Sequence, residues 1–208
     1  MYRNLIWDLD GTLFDTYPAI AGVYQAALRV LGREASLAWL EGLARRSLSY
    51  CVATVAETYR LDGASIEQAF KTHYGLVTPK QQPPLPGVID LCRYICSIKG
   101  RNVIVTHRER ASSMELLTAH HMAGYFAGCI TRDDGYPRKP DPAAMNAALT
   151  LFRLERGETL AIGDREIDVA AGKAVGLATC LYGAAEEGTA ADYHVGSYTK
   201  LYPYLTRE

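Results

Sequence analysis

From residue 87 onward the chain alternates short apolar runs with longer amphipathic ones, and that rhythm narrows its folds more than any other feature. Runs such as Asn102-Val103-Ile104-Val105 and Leu160-Ala161-Ile162 are apolar almost throughout rather than at every second residue. This is the pattern of strands covered on both faces, as in a parallel sheet. The pattern predicts a helix over 87–98, strand 101–106, helix 110–119, strand 128–131, helix 142–152, strand 159–163, helix 168–175 and strand 178–181. Asn4-Leu5-Ile6-Trp7 adds a buried strand near the start. Strand and helix in regular alternation make an α/β fold, a doubly wound parallel sheet with a Rossmann-like core.

Between Phe14 and Pro86 the alternation stops, and no run there reads as a strand. Thr16 is placed to cap a helix with Pro18 in its first turn, running through Leu31 to Gly32. Ser36 opens a second helix, Ser47 to Tyr59 makes a third and Ser65 to Tyr74 a fourth, before the proline-rich return linker Thr78 to Pro86. The expected division is therefore a core of residues 1–14 and 85–208 with an inserted α-helical domain over 15–84.

Acidic residues gather where the apolar runs end. Asp8 and Asp10 close the first strand within Asp8-Leu9-Asp10-Gly11-Thr12, and open α/β sheets bind ligands beyond the carboxyl ends of their strands. Two acids so close repel each other unless a cation intervenes or one keeps its proton, and both outcomes suit catalysis. The plainer reading is a pair of turn residues capping the next element. Strand 101–106 ends in Thr106, followed by His107 and Arg108, an edge suited to holding an anion. His107 is open between a supporting role and contact with substrate. In Arg138-Lys139-Pro140-Asp141-Pro142 two prolines stiffen the loop that presents Lys139. Strand 159–163 runs into Asp164-Arg165-Glu166-Ile167-Asp168, where Asp168 reads equally as a ligand or as the N-cap of its helix.

These four motifs, in this order, resemble the haloacid dehalogenase-like hydrolase superfamily, and within it the phosphoglycolate-phosphatase-like members with a helical cap. The resemblance covers nearly the whole chain. It implies that Asp8 is a nucleophile, Asp10 a general acid and base, and Thr106 and Lys139 the holders of a phosphoryl group. It further implies a magnesium site drawn from Asp8, Asp10, Asp164 and Asp168, with Gly11, Thr12 and His107 also near the substrate. The insertion corresponds to a cap that closes over the site. Its Arg45 and Arg46 read either as a solvated helix end or as substrate contacts, since relatives often send an arginine from this region. One position departs from the family: Arg165 stands where many relatives carry Ser or Thr after Gly-Asp. Relatives that dehalogenate haloacids lack an acid at position 10, because a departing halide needs no proton, so Asp10 argues for phosphoryl transfer. The implied activity is magnesium-dependent hydrolysis of a small phosphate ester through an aspartyl-phosphate. The alternatives are a phosphomutase of the same scaffold and a non-catalytic phosphate sensor, although a sensor has no use for an acid beside the nucleophile.

Composition bears on partners. A formal net charge of −1, with no basic cluster, gives nucleic acid and anionic membranes nothing to hold, and the resemblance implies a small-molecule phosphate ester as the partner. No apolar run reaches the roughly 18 residues of a membrane span, and the first strand begins too early for a signal peptide, so the expectation is a cytoplasmic protein. Five cysteines, an odd number without metal-type spacing, read as reduced core residues. The sequence leaves the oligomeric state open.

Overall fold

The computed structural model describes residues 1–183 and 188–205. Its contacts divide the chain into two compact units, Met1–Phe14 with Pro84–Glu208, and Asp15–Pro83. Pro84 groups with the first unit because it forms an isolated bridge with Phe14.

Six strands build the first unit: β1 (Asn4–Trp7), β2 (Asn102–Val105), β3 (Phe126–Ile130), β4 (Thr159–Gly163), β5 (Ala178–Tyr182) and β6 (Tyr193–Val195). They form one sheet in the order β3-β2-β1-β4-β5-β6, with every neighbouring pair parallel. The chain winds outward from β1 through β2 and β3, then crosses back to lay β4 on the other side of β1. The strand order thus reverses between β1 and β4, and the crevice at such a switch point is where open α/β sheets place ligands.

All of β1 is buried, and its period-two alternation divides the core into two layers. Leu5 and Trp7 pack with Leu91, Ile95 and Leu116 on one face, while Ile6 packs with Met145, Ala148 and Ala171 on the other. The first layer comes from α5 (Val88–Ser97) and α6 (Arg110–Ala119), the second from α7 (Ala143–Leu151) and α8 (Glu166–Ala174). β3 starts two residues earlier than its apolar run suggested, because its pairing with β2 shifts register between Asn102 and Val103 and so takes in Phe126 ahead of Gly128. α8 likewise begins at Glu166 rather than at 168, for a reason that belongs to the site.

The second unit has its own core. α1 (Tyr17–Val30), α2 (Leu37–Arg46), α3 (Leu48–Tyr59) and α4 (Gly63–Tyr74) bury Ile20, Tyr24, Leu28, Leu40, Cys51, Val55 and Ile66 among themselves. Ser36 and Ser47 cap α2 and α3 by accepting from the amides of Trp39 and Tyr50. Asp62 caps α4, accepting from Ser65 N at 2.9 Å, so that helix starts ahead of the serine that had marked it. Thr16 does not cap α1 with its side chain: its own backbone is already helical, at φ −92° and ψ −21°.

Among the described residues no helix is long and apolar enough to cross a membrane. All five cysteines are free; Cys51, Cys92 and Cys180 are buried, but Cys129 is only half-buried and Cys96 is exposed, against the expectation of core positions for all.

A single buried amide ties β1 to β2. Asn102 donates to the carbonyls of Cys92 at 3.0 Å and Tyr125 at 3.1 Å, while its oxygen accepts from the Trp7 indole at 3.0 Å. Leucine in its place would leave the buried Trp7 indole N–H without its acceptor and would remove both bonds to the carbonyls. Asn102→Leu should therefore lower stability by about 2–4 kcal/mol in urea unfolding. An unchanged midpoint would show that the amide is dispensable.

Candidate active site

The carboxyl ends of β1, β2 and β4 converge on one buried ammonium. Asp8 follows β1, and its amide donates to Ile162 O of β4 at 2.9 Å, which fixes where the chain leaves the sheet. Lys139 reaches in from its proline-flanked loop with its side chain fully buried. Its Nζ donates to Asp8 Oδ1 at 2.6 Å, to Asp168 Oδ1 at 2.5 Å and to Val105 O at 3.0 Å, which uses all three ammonium hydrogens. Burial disfavours this charge, but the two carboxylates outweigh it and hold the Lys139 pKa above its ordinary value. For Asp8 burial prevails over the pull of Lys139 and pushes the carboxyl up to about 6.

Asp168 is committed on both oxygens. Its Oδ2 accepts from Arg165 N at 3.2 Å, so it sits in the first turn of α8 and bonds back to the helix start instead of occupying the N-cap. This corrects the N-cap reading of Asp168 and explains the early start of α8. Gly163 makes the approach possible, since a Cβ there would lie 2.2 Å from Asp168 Cβ.

Asp8, Asp164 and Asp168 each offer an oxygen within 4.8 Å of the others. The Asp10 carboxylate lies outside this group; its Oδ1 accepts instead from Arg108 Nη1 at 2.8 Å. Three carboxylates against Lys139 and the flanking Arg165 leave an acidic excess, and the buried Asp8 Oδ2 has no hydrogen-bond partner among the described residues. An all-oxygen set with an unspent carboxylate oxygen fits a hard divalent cation.

Thr106 follows β2 directly, buried, with its hydroxyl oxygen accepting from Arg108 N at 3.1 Å. Gly11 adopts a positive φ of 78° and Thr12 is fully buried behind it, its carbonyl accepting from the Tyr198 hydroxyl at 2.5 Å. Their side of the turn is thus braced from the core. Arg45 and Arg46 belong to the helical unit, where Arg45 bonds Glu41 and lies over the Tyr17 ring, and Arg46 lies over the Tyr50 ring. The sequence placed Arg108 with Thr106 and His107 on an edge suited to holding an anion, but gave no sign of its pairing with Asp10.

His107 supports the lysine loop. Its Nε2 accepts from Lys139 N at 2.8 Å, which requires a neutral ring carrying its hydrogen on Nδ1. Burial, then the charges of Lys139, Arg138 and Arg165, push its pKa down to about 4 against the pull of Asp168.

A family model for haloacid dehalogenase-like hydrolases matches residues 2–176. A phosphoglycolate phosphatase of Cupriavidus necator is 30% identical over 188 residues, covering 87% of this chain and 81% of that protein. A hydrolase of Streptococcus pneumoniae superposes with a TM-score of 0.63 at 28% identity, over 86% of this chain and 91% of that one. A HAD-superfamily hydrolase of subfamily IA from Geobacter sulfurreducens shares the fold with a TM-score of 0.75 at 20% identity, over 99% of this chain and 97% of that one. The chain belongs to the haloacid dehalogenase-like hydrolases. It is an enzyme of that family.

The His107 geometry sets a pH dependence. The unfolded imidazole binds its proton near pH 6.5, whereas the folded one resists until about 4, so between these values the unfolded state carries more protons. The contribution is complete above pH 6.5 and is lost as the pH falls toward 4. His107→Asn keeps an acceptor and does not titrate. In urea unfolding of metal-free protein, the wild type should lose stability relative to this variant over that window, with a slope below about 1.4 kcal/mol per pH unit. Parallel curves would show that His107 titrates normally.

Proposed function

We propose that the protein is a phosphatase of small phosphate monoesters that works with magnesium through an aspartyl-phosphate on Asp8. The observation that carries the reading is the state of Asp8: one oxygen is anchored by Lys139 while the other, buried at the switch point of the sheet, is unspent. A carboxylate fixed in this way can approach phosphorus in line, forming an acyl phosphate as the ester P–O bond breaks.

Asp10 lies two residues on and outside the acidic group, its carboxylate about a quarter exposed, where a leaving alcohol would depart. It gives its proton to that oxygen, and later takes one from the water that hydrolyses the acyl phosphate. Lys139 sets a fixed positive charge beside the transferring group, and the Thr106 hydroxyl has its hydrogen available for a phosphoryl oxygen, because its recorded bond uses the oxygen as acceptor. Asp8 and Asp164 are the residues suited to hold magnesium, which when bound would neutralise phosphoryl charge. Asp168, with both oxygens engaged, supports Lys139 and stands behind them. The name of the Cupriavidus necator relative makes phosphoglycolate the first substrate to try.

Phosphate release from phosphoglycolate and para-nitrophenyl phosphate tests the reading. Asp8→Asn, nearly isosteric but unable to attack, should abolish turnover. Asp10→Asn should lose about 10²- to 10⁴-fold. EDTA should silence the enzyme and magnesium restore it, and Asp164→Ala should raise the magnesium requirement more than Asp168→Ala does. Full turnover in EDTA, or in Asp8→Asn, would overturn the mechanism.

A further inference from the structure

Asp10 can serve as an acid only if its carboxyl is aimed, and nothing in its own strand aims it. β1 ends at Trp7, so the period-two rule no longer fixes the side chain, and Asp10 is more exposed than Asp8, Asp164 or Asp168. Its recorded side-chain partner is Arg108, whose own side chain is only 8% exposed. The two meet because β1 and β2 are parallel neighbours: Trp7 pairs with Ile104, and Asp10 and Arg108 lie three and four residues beyond that pair.

Arg108 is itself held at several points. Its amide donates to Thr106 Oγ1 at 3.1 Å and its carbonyl accepts from Arg132 N at 3.1 Å, which fixes the backbone. Its Nε donates to Ser112 Oγ at 3.0 Å while Nη1 donates to Asp10 Oδ1 at 2.8 Å, so one planar guanidinium spans the start of α6 and the Asp10 carboxylate. A guanidinium never releases a proton in this range, so it cannot replace Asp10 as the acid. Held on Oδ1, the carboxyl offers Oδ2 as the oxygen that carries and delivers the proton.

We infer that Arg108 is the positioning residue of the general acid, directing Asp10 toward the leaving oxygen. The inference rests on the phosphatase reading above. In the step it serves, the P–O ester bond breaks, the bond from Asp8 to phosphorus forms, and the proton on Asp10 passes to the departing oxygen.

An aryl oxygen such as para-nitrophenolate leaves as an anion, whereas an alkyl oxygen needs the proton. The test is therefore kcat/KM, which reports phosphoryl transfer to the enzyme, for para-nitrophenyl phosphate, phenyl phosphate, ethyl phosphate and phosphoglycolate. In Arg108→Gln the alkyl-to-aryl ratio of kcat/KM should fall roughly ten- to hundredfold, within what a general acid contributes. Arg108→Lys, a point charge unable to span Ser112 and Asp10 together, should fall part of the way. In the Asp10→Asn background the same Arg108→Gln change should leave the ratio where it stands, since no acid remains to aim.

Equal losses on all four esters would mean a structural role and would overturn the inference. So would a loss confined to phosphoglycolate, which would make Arg108 a reader of the substrate's second anion. No phosphate release by wild type from any ester would sink the phosphatase reading itself, a different result from an active enzyme with an unmoved ratio. Should Arg108→Gln fail to fold, Arg108→Lys carries the comparison. Thermal unfolding of the metal-free single and double variants gives a second readout. Non-additive Tm shifts for Asp10→Asn and Arg108→Gln are expected, and additive ones would show that the contact does not exist in solution.

Discussion

A fully buried ammonium holds the carboxyl edge of the sheet together. Lys139 comes from a loop outside the sheet, yet its three hydrogens go to Asp8 after β1, to a carbonyl of β2, and to Asp168 on the helix after β4. Taking such charges out of water is expensive, and only close pairing with satisfied donors offsets it. Removing one member leaves another buried and unpaired, at a cost of about 3–5 kcal/mol. The cluster is therefore a constraint on geometry before it is a device for chemistry: three chain segments can meet only where one nitrogen can serve all three.

That constraint separates two carboxylates only two residues apart. Asp8 is buried and its proton affinity is raised by desolvation; Asp10 is part-exposed and paired with a guanidinium. On a continuing strand the two would point the same way. The strand stops at Trp7, and Asp10 stands beyond its end, at the entry to the turn through Gly11 and outside the acidic group. Different surroundings for like groups can give one residue type two roles, which is what the proposed function asks of Asp8 and Asp10.

The alternation of apolar runs was enough to place the sheet, because its inner strands β1, β2, β4 and β5 are buried along most of their length and so are largely apolar. Thr159–Gly163 and Arg110–Ala119 fall where the sequence put them. What escaped were matters decided across the chain. Asp168 looked equally like an N-cap because a helix start and an ion pair favour the same residue; only the approach of Lys139, 29 positions away, shows the carboxylate serving both the lysine and the helix start. Arg108 follows a strand, where arginines are commonly solvated, and its partner Asp10 is 98 residues distant. His107 was ambiguous because a ring acceptor for a backbone amide leaves no mark on spacing. Cys96 sits in an apolar segment yet faces outward, since helical periodicity puts only one stripe of α5 inside.

The departure at Arg165 has a physical reading in the same terms. What position 165 gives to Asp168 is a backbone N–H, at 3.2 Å from Oδ2. Any residue but proline has that donor, so the link from the end of β4 to the buried ion pair does not depend on a hydroxyl side chain. The guanidinium instead lies along the acidic group, with Nε 3.9 Å from Asp164 Oδ1, where its positive charge softens repulsion among the three carboxylates. A serine or threonine there would add a donor without a charge. Arginine therefore changes the electrostatic balance around Asp164 while leaving the geometry of Lys139 and Asp168 to the backbone and to Gly163.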